Sequence, residues 1–332
     1  MKLLPTKTFR FSLCLFFSVA TMAATFASTF NATPAYAGAI VLTGHDTLLH
    51  GGQNGYDEVI LDFLRAQGGE SKATYDVAVI GSGAGIPFPP FNRFTGQAIT
   101  TPSIPALGSG AAITLDGILT GYGSATYYNT TAIGGLGAVA QDAVWASILS
   151  ADAFVYLSHT NCGGCDVDDA GVIMVNSRAA EIATAFNLGM DIWGNSSADR
   201  NGGVVPNYYG FLPPGALASG TAIGTSVGFF TTVEGAAIGI SDAAPSMING
   251  FETHNSFPSF DPAFTVFERH TIPGGDEVVT IGIQNATITS GGITTGGDTG
   301  GGGANPIPEP STMLLLGSGL VGLIGYRMKK KA

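Results

Sequence analysis

Basic residues are the scarcest chemistry in this chain of 332 residues, and most of them sit at its two ends. Of 13 Lys and Arg, three (Lys2, Lys7, Arg10) lie at the start and four (Arg327, Lys329, Lys330, Lys331) at the finish. Residues 38 to 308 retain six against 23 Asp and Glu, a net −17, and Lys72 is the single lysine there. A surface of that sign repels phosphate backbones and anionic lipid headgroups, so nucleic acid is excluded as a partner and anionic membrane surfaces are disfavoured. It suits solubility outside the cell and weak divalent-cation binding. Cysteine is equally rare: Cys14 near the start, then Cys162 and Cys165. That excludes a disulfide scaffold and leaves one candidate bridge, Cys162–Cys165, a small ring in an oxidising compartment. Long apolar runs are missing too, since none reaches the ~20 residues that a bilayer requires.

What is present begins with the ends. After the basic start, Phe11 to Ala20 is almost wholly apolar, and Ala35-Tyr36-Ala37 offers an A-x-A cleavage site before Gly38. Residues 1–37 therefore read as a signal peptide for signal peptidase; Cys14 lies inside the apolar run, not behind it, which argues against a lipoprotein. At the other end Pro308-Glu309-Pro310 precedes a short apolar segment, Met313 to Tyr326, and then Arg327 and the lysines. The basic cluster marks a cytoplasmic end. The residues alone allow a plain anchor or a transient one. In this order they resemble the PEP-CTERM sorting signal, which exosortase systems of Gram-negative bacteria read on exported proteins. The resemblance implies a signal at 308–332 with a short transmembrane segment. It further implies a transient inner-membrane anchor, removal by exosortase, and a final place at the cell surface or in the extracellular matrix.

The body, 38–288, alternates strand and helix signals. Ala39 to Leu42, Tyr75 to Ile80, Ala153 to Leu157 and Met190 to Trp193 read as strands. Between them Ile60, Phe63 and Leu64, then Val144, Trp145, Ile148 and Leu149, then Ala179, Ile182, Ala183 and Phe186, repeat at helical spacing. Asn176 or Ser177 is the expected cap of the third helix and Gly189 its stop. Such alternation predicts βαβ units and a parallel sheet. From about Gly220 the chain is β-rich (Ser226 to Thr232, Glu234 to Ile240, Phe264 to Glu268, Glu277 to Ile283), and residues 289–307 read as a Gly/Thr-rich linker. In Gly81-Ser82-Gly83-Ala84-Gly85 the third glycine is misplaced for a dinucleotide fingerprint, and Pro87, Pro89 and Pro90 break the helix it would need, so no cofactor is expected.

Ligands of open α/β sheets bind at the carboxyl ends of the strands. Those ends here carry His45-Asp46, Ser82, Ser158 to Cys162, and Asn195-Ser196. His45, Asp46 and His50 have ligand types that suit zinc. Asp166-Val167-Asp168-Asp169 lacks the later glutamate of a calcium loop and reads as a solvated acidic loop before a helix. Cys162 with His159 or His254 is the candidate nucleophile pair, although Cys165 and the following acids oppose a thiolate. The order of elements looks like the class I glutamine-amidotransferase or flavodoxin-like architecture. Leu157 to Asp166, Asn176 to Trp193 and Tyr208-Tyr209-Gly210-Phe211-Leu212-Pro213 are similar to segments of exported PEP-CTERM proteins with such a domain. That resemblance implies an amidotransferase-like body with a β-rich C-terminal extension. The turn at Cys162 lacks the glycine two residues earlier, and Glu252-Thr253-His254 reverses the family's later His-x-Glu pair. The expected function is accordingly a non-catalytic surface or matrix protein that binds a small ligand, a matrix polysaccharide or surface proteins. The alternative is a secreted cysteine-dependent hydrolase.

Overall fold

Short apolar runs become neighbouring strands buried on both faces, as parallel sheets demand. The computed structural model describes residues 38–50, 54–67, 70–82, 119, 123–159, 166–197, 208–214, 221–250 and 253–295, all within a compact unit spanning Ala35–Asp298. Ile40–Thr43 forms β1, Ala66–Gln67 and Glu70–Ser71 a small hairpin (β2, β3), and Tyr75–Gly81 β4. Gly123–Asn129 is β5, Ala153–Tyr156 β6 and Asp191–Gly194 β7. Every residue of β1, β6 and β7 is buried. The second half adds β8 (Thr221–Thr225), β9 (Phe229–Thr231), β10 (Thr253–Ser256), β11 (Thr265–Ile272), β12 (Gly275–Ile283), β13 (Ala286–Thr289) and β14 (Gly292–Thr295).

The main sheet has eight strands in the order β5-β4-β6-β7-β1-β12-β11-β9. Pairing is parallel from β5 to β1 and antiparallel from β1 to β9. The expected mostly parallel α/β sheet is there, with the β-rich pieces completing one side of it. Its wiring differs from the flavodoxin order of 2-1-3-4-5. Numbered along the chain, the parallel strands run 3-2-4-5-1. β4, β5, β6 and β7 keep the neighbours of the first four flavodoxin strands, and the fifth place is filled by the N-terminal strand β1. The consequence is functional: His45 and Asp46, which follow β1, lie where the parallel and antiparallel halves meet.

Helices match their apolar stripes in most places. Tyr56–Arg65 buries Tyr56, Ile60, Leu61 and Leu64, with Asp57 and Glu58 at its positive end. Ala138–Leu149 buries Trp145 and Ile148. Asn176 and Ser177 are not caps: they finish the helix Asp169–Ser177, whose N-cap is Asp168, accepting from the Gly171 amide at 2.8 Å. A break at Arg178 starts the next helix, Ala179–Asn187, and the Arg178 guanidinium ties it to Asp142 at 2.8 Å and sits 5.7 Å from the Trp145 ring. Gly189 does end that run, at φ 105°. Glu234 to Ile240, expected as strand, is largely the helix Val233–Ile238, because Thr232 caps its start and Gly239, at φ 105°, its end.

Residues 289–295, the start of the expected linker, lie in the hairpin β13–β14, which is clipped to the body by Asn187. That side chain donates to Ile288 O and accepts from Ile288 N, both at 2.8 Å, as a neighbouring strand would. No helix among the described residues is long and apolar enough to cross a membrane; the expected short transmembrane segment lies outside them.

At the amino edge of the sheet one buried acid gathers three strands. Asp191 accepts from the Ala39 amide at 2.7 Å, from Tyr75 OH at 2.8 Å and from Lys72 Nζ at 3.2 Å. The body's single lysine is thus committed to architecture.

Candidate functional site

The carboxyl ends of the strands are laced together by their own backbone. His159 N donates to Ser196 O, and Ser196 N to His45 O, each at 3.1 Å. His254 N then donates to Gly44 O at 2.9 Å, laying β10 across the end of β1. Gly44 allows this approach, since a Cβ there would stand 1.8 Å from Asn255 O. The polar groups named from sequence therefore do share one rim. It carries His45, Asp46, His159, Asn195, Ser196 and His254, all buried.

His45 is the most enclosed. Its Nε2 meets Glu268 Oε2 at 2.9 Å, with neither side chain exposed, and its Nδ1 meets Thr253 Oγ1 at 2.7 Å. Glu268 Oε2 also accepts from Thr280 Oγ1 at 2.7 Å. Thr280 Oγ1 lies 2.8 Å from Thr43 Oγ1, which accepts from the His45 amide at 3.1 Å and from Tyr56 OH at 3.2 Å. The directions are consistent along the chain: Tyr56 donates to Thr43, Thr43 to Thr280, and Thr280 to the carboxylate, which His45 approaches from the other side. Burial first, and the Glu268 charge second, push the Tyr56 hydroxyl well above its usual range, so it stays a donor. The ring of His45 is boxed edge-on by Tyr56 at 5.6 Å and Phe229 at 5.3 Å. Glu268 interrupts the regular β11–β12 register, which shifts on both sides of it.

Two more imidazole–carboxylate pairs follow along the rim. His254 Nε2 is 2.9 Å from Asp46 Oδ2, both 1% exposed. His159 Nε2 is 2.9 Å from Asp169 Oδ1. Ser82, at the end of β4, shares its hydroxyl with Thr130 Oγ1 and Asp168 Oδ1, each at 2.8 Å. The acidic run is therefore not simply a solvated loop. Asp166 is 0% exposed, Asp168 caps a helix, and Asp169 orients a histidine.

The Tyr208 to Pro213 segment covers this rim. Tyr208 OH donates to Leu157 O and Tyr209 OH to Asn195 O, capping carbonyls at the ends of β6 and β7. The Tyr208 ring stacks on Tyr156 at 4.6 Å and stands 5.7 Å from His159. Gly194 makes room for it: a Cβ there would sit 2.6 Å from the Tyr209 ring and 2.7 Å from Leu42. Gly194→Ala is accordingly expected to cost about 1–3 kcal/mol through overpacking, read as a lowered midpoint in urea unfolding.

Several sequence candidates fall outside the described residues: Cys162 and Cys165, hence both the nucleophile and the disulfide, and the sorting residues Pro308, Glu309, Pro310 and Arg327. The His50 side chain is also outside them. Among the described residues no group of three or more His, Cys, Asp or Glu is placed to hold a metal ion. His45 and Asp46 each face a different partner, Glu268 and His254. Sequence reading overlooked Glu268 and Thr280; a lone acid inside the strand-like run Phe264 to Glu268 was the available signal.

Comparison with known proteins bears on the tail. Residues 306–330 match the PEP-CTERM protein-sorting motif. No curated protein matches the chain, and no solved structure does. The PEP-CTERM match supports an exported protein with a transient membrane-anchored stage and processing by exosortase. The amidotransferase-like expectation for the body has no family or structural match behind it.

Proposed function

We propose that the chain is an exported, exosortase-processed protein of the cell surface or extracellular matrix, whose α/β body is non-catalytic and uses its carboxyl edge as a ligand site. The observation that carries this reading is the PEP-CTERM motif at 306–330 on an acidic body with a net −17. A second observation agrees with it. His45, whose ring nitrogens meet Glu268 and Thr253, is fully buried, whereas a general base must reach the proton it abstracts. The leader 1–37 and the tail then act as delivery signals, and the six basic residues of the body leave the delivered domain strongly anionic.

Expression of the full chain in an exosortase-bearing host and in the same host lacking exosortase tests this. In the first, the medium or surface fraction is expected to hold a species whose C-terminal peptides beyond the Pro308 region are missing by mass spectrometry. In the second, the protein is expected to stay full-length at its C-terminus and membrane-associated. Equal release of uncut chain from both hosts would sink the reading.

A further inference from the structure

We propose that Asn54–Gly55 is a site of spontaneous deamidation, and that the change frees the loop 241–250 from the start of the helix Tyr56–Arg65. This chemistry belongs to the body itself and does not depend on the carboxyl edge being a ligand site.

An asparagine followed by glycine is open to this reaction because glycine puts no side chain in the way. The Gly55 nitrogen attacks Asn54 Cγ, and its proton passes to the carboxamide nitrogen, which leaves as ammonia. A succinimide ring remains until water opens it at either carbonyl. One opening gives aspartate; the other gives isoaspartate, with an extra methylene in the main chain. Water is the co-reactant, and no oxidant or reductant is needed.

Three such pairs occur in the chain, Asn54–Gly55, Asn201–Gly202 and Asn249–Gly250, and the second lies outside the described residues. The fold treats the other two unequally. Asn249 is clamped to β9: its Oδ1 accepts from the Phe229 amide at 3.0 Å and its Nδ2 donates to Phe229 O at 2.9 Å. The Gly250 amide, which would be the attacking nitrogen, donates to Ser226 O at 2.7 Å. Three hydrogen bonds must therefore open before that ring can close. Asn54 is exposed, and its carboxamide makes one hydrogen bond among the described residues, from Nδ2 to Ser246 O at 2.7 Å. Its backbone stands at φ 47°, a region that residues other than glycine seldom occupy, so leaving the folded turn gives up an unfavourable conformation. Ser246 carries the consequence. Its carbonyl holds Asn54, and its hydroxyl accepts from the Ile248 and Asn249 amides at 3.2 and 2.9 Å. A carboxylate at position 54 cannot donate to Ser246 O and faces it with like charge. Isoaspartate also displaces Gly55, the N-cap of the helix, whose carbonyl accepts from the Val59 amide at 3.1 Å. The clip between helix and loop is then lost from both sides.

Ageing of the purified full chain at pH 8, folded and in urea, followed by peptide mapping, tests the proposal. Ammonia lost and water gained add one dalton, and electron-transfer fragmentation separates isoaspartate from aspartate. In the folded chain Asn54 is expected to convert first and Asn249 to lag about tenfold or more, since three hydrogen bonds must open there against one. In urea the two should convert at similar rates, which assigns the difference to the fold. Asn54→Asp reproduces the charge of the product without ageing. It is expected to speed hydrogen exchange at the Ile248 and Asn249 amides about fivefold, the equivalent of one hydrogen bond. The proposal is overturned if Asn54 stays intact in the folded chain or if Asn249 converts there as fast. It is equally overturned if exchange at those two amides is the same in Asn54→Asp as in the parent.

Discussion

Replacing Glu268 with Leu is expected to destabilise the protein by about 2–5 kcal/mol, since a buried imidazole and a buried hydroxyl each lose their acceptor at roughly 1–3 kcal/mol apiece. The carboxylate is 0% exposed and is the shared acceptor of His45 Nε2 and Thr280 Oγ1. Its removal leaves an imidazole and a hydroxyl without their acceptor, and through Thr280 it disturbs Thr43 and Tyr56. His45→Phe should cost a similar amount by stranding Glu268, whose Oε1 already has no hydrogen-bond partner among the described residues. The double variant His45→Phe/Glu268→Leu is expected to lose much less than the two single losses added together, because apolar groups of similar volume replace a buried pair at little net cost. Glu268→Gln keeps an acceptor in place and should fall near ~1 kcal/mol. Urea unfolding of the four proteins at one pH measures the cycle. Additive losses would mean that His45 and Glu268 are merely adjacent and that the seam between the parallel and antiparallel halves is held by packing alone.

That seam also marks the limit of what the sequence made legible. β1, β4, β6 and β7 were readable because strands buried on both faces must be continuous apolar runs, and the chain contains few others. β5 was missed. Gly123–Asn129 is polar at Ser124 and Thr126, since it lies at the sheet's edge, and its buried residues, Ala125, Tyr127, Tyr128 and Asn129, make no continuous apolar run. Helix Val233–Ile238 reads as strand from sequence because its β-branched and aromatic neighbours outweigh one capping threonine in a short window. Strand order is a different matter: nothing local in Ile40–Thr43 states that it sits beside both β7 and β12. The rim was half legible for the same reason. Residues that directly follow parallel strands (His45, Asp46, His159, Asn195) were found by rule. Their partners Glu268, Thr280 and Asn255 arrive from strands far along the chain, and only the tertiary pairing reveals them.

Acidifying the protein from pH 8 to pH 5 is expected to stabilise it, contrary to the behaviour of most salt-bridged carboxylates. Asp57 is buried on the first turn of helix Tyr56–Arg65, and that burial pushes its carboxyl from 3.8 up to about 7. The Thr47 hydroxyl opposes the shift and the Glu58 charge adds to it. Asp191 is likewise pushed by burial to about 6, against the pull of Lys72, the Ala39 amide and Tyr75. Below 3.8 each group is protonated whether the chain is folded or not, so it adds no dependence on pH. Between 3.8 and the folded value the native state holds a proton that the unfolded chain has released, and stability must fall as pH rises. Above the folded value the loss is complete. At ~1.4 kcal/mol per unit the loss is up to about 4 kcal/mol for Asp57 and about 3 kcal/mol for Asp191. Asp57→Asn isolates the first of these, because the amide oxygen still accepts from Thr47 while the charge is gone. The variant is expected to gain most over the parent at pH 8 and to converge with it near pH 4. The general relief of a net −17 body in acid is common to the two proteins and cancels in the difference. Urea midpoints of parent and variant at half-unit steps from pH 4 to pH 8 supply that difference. A flat one would place Asp57 as an ionised, solvated carboxylate and remove the buried acid from the account of this fold's stability.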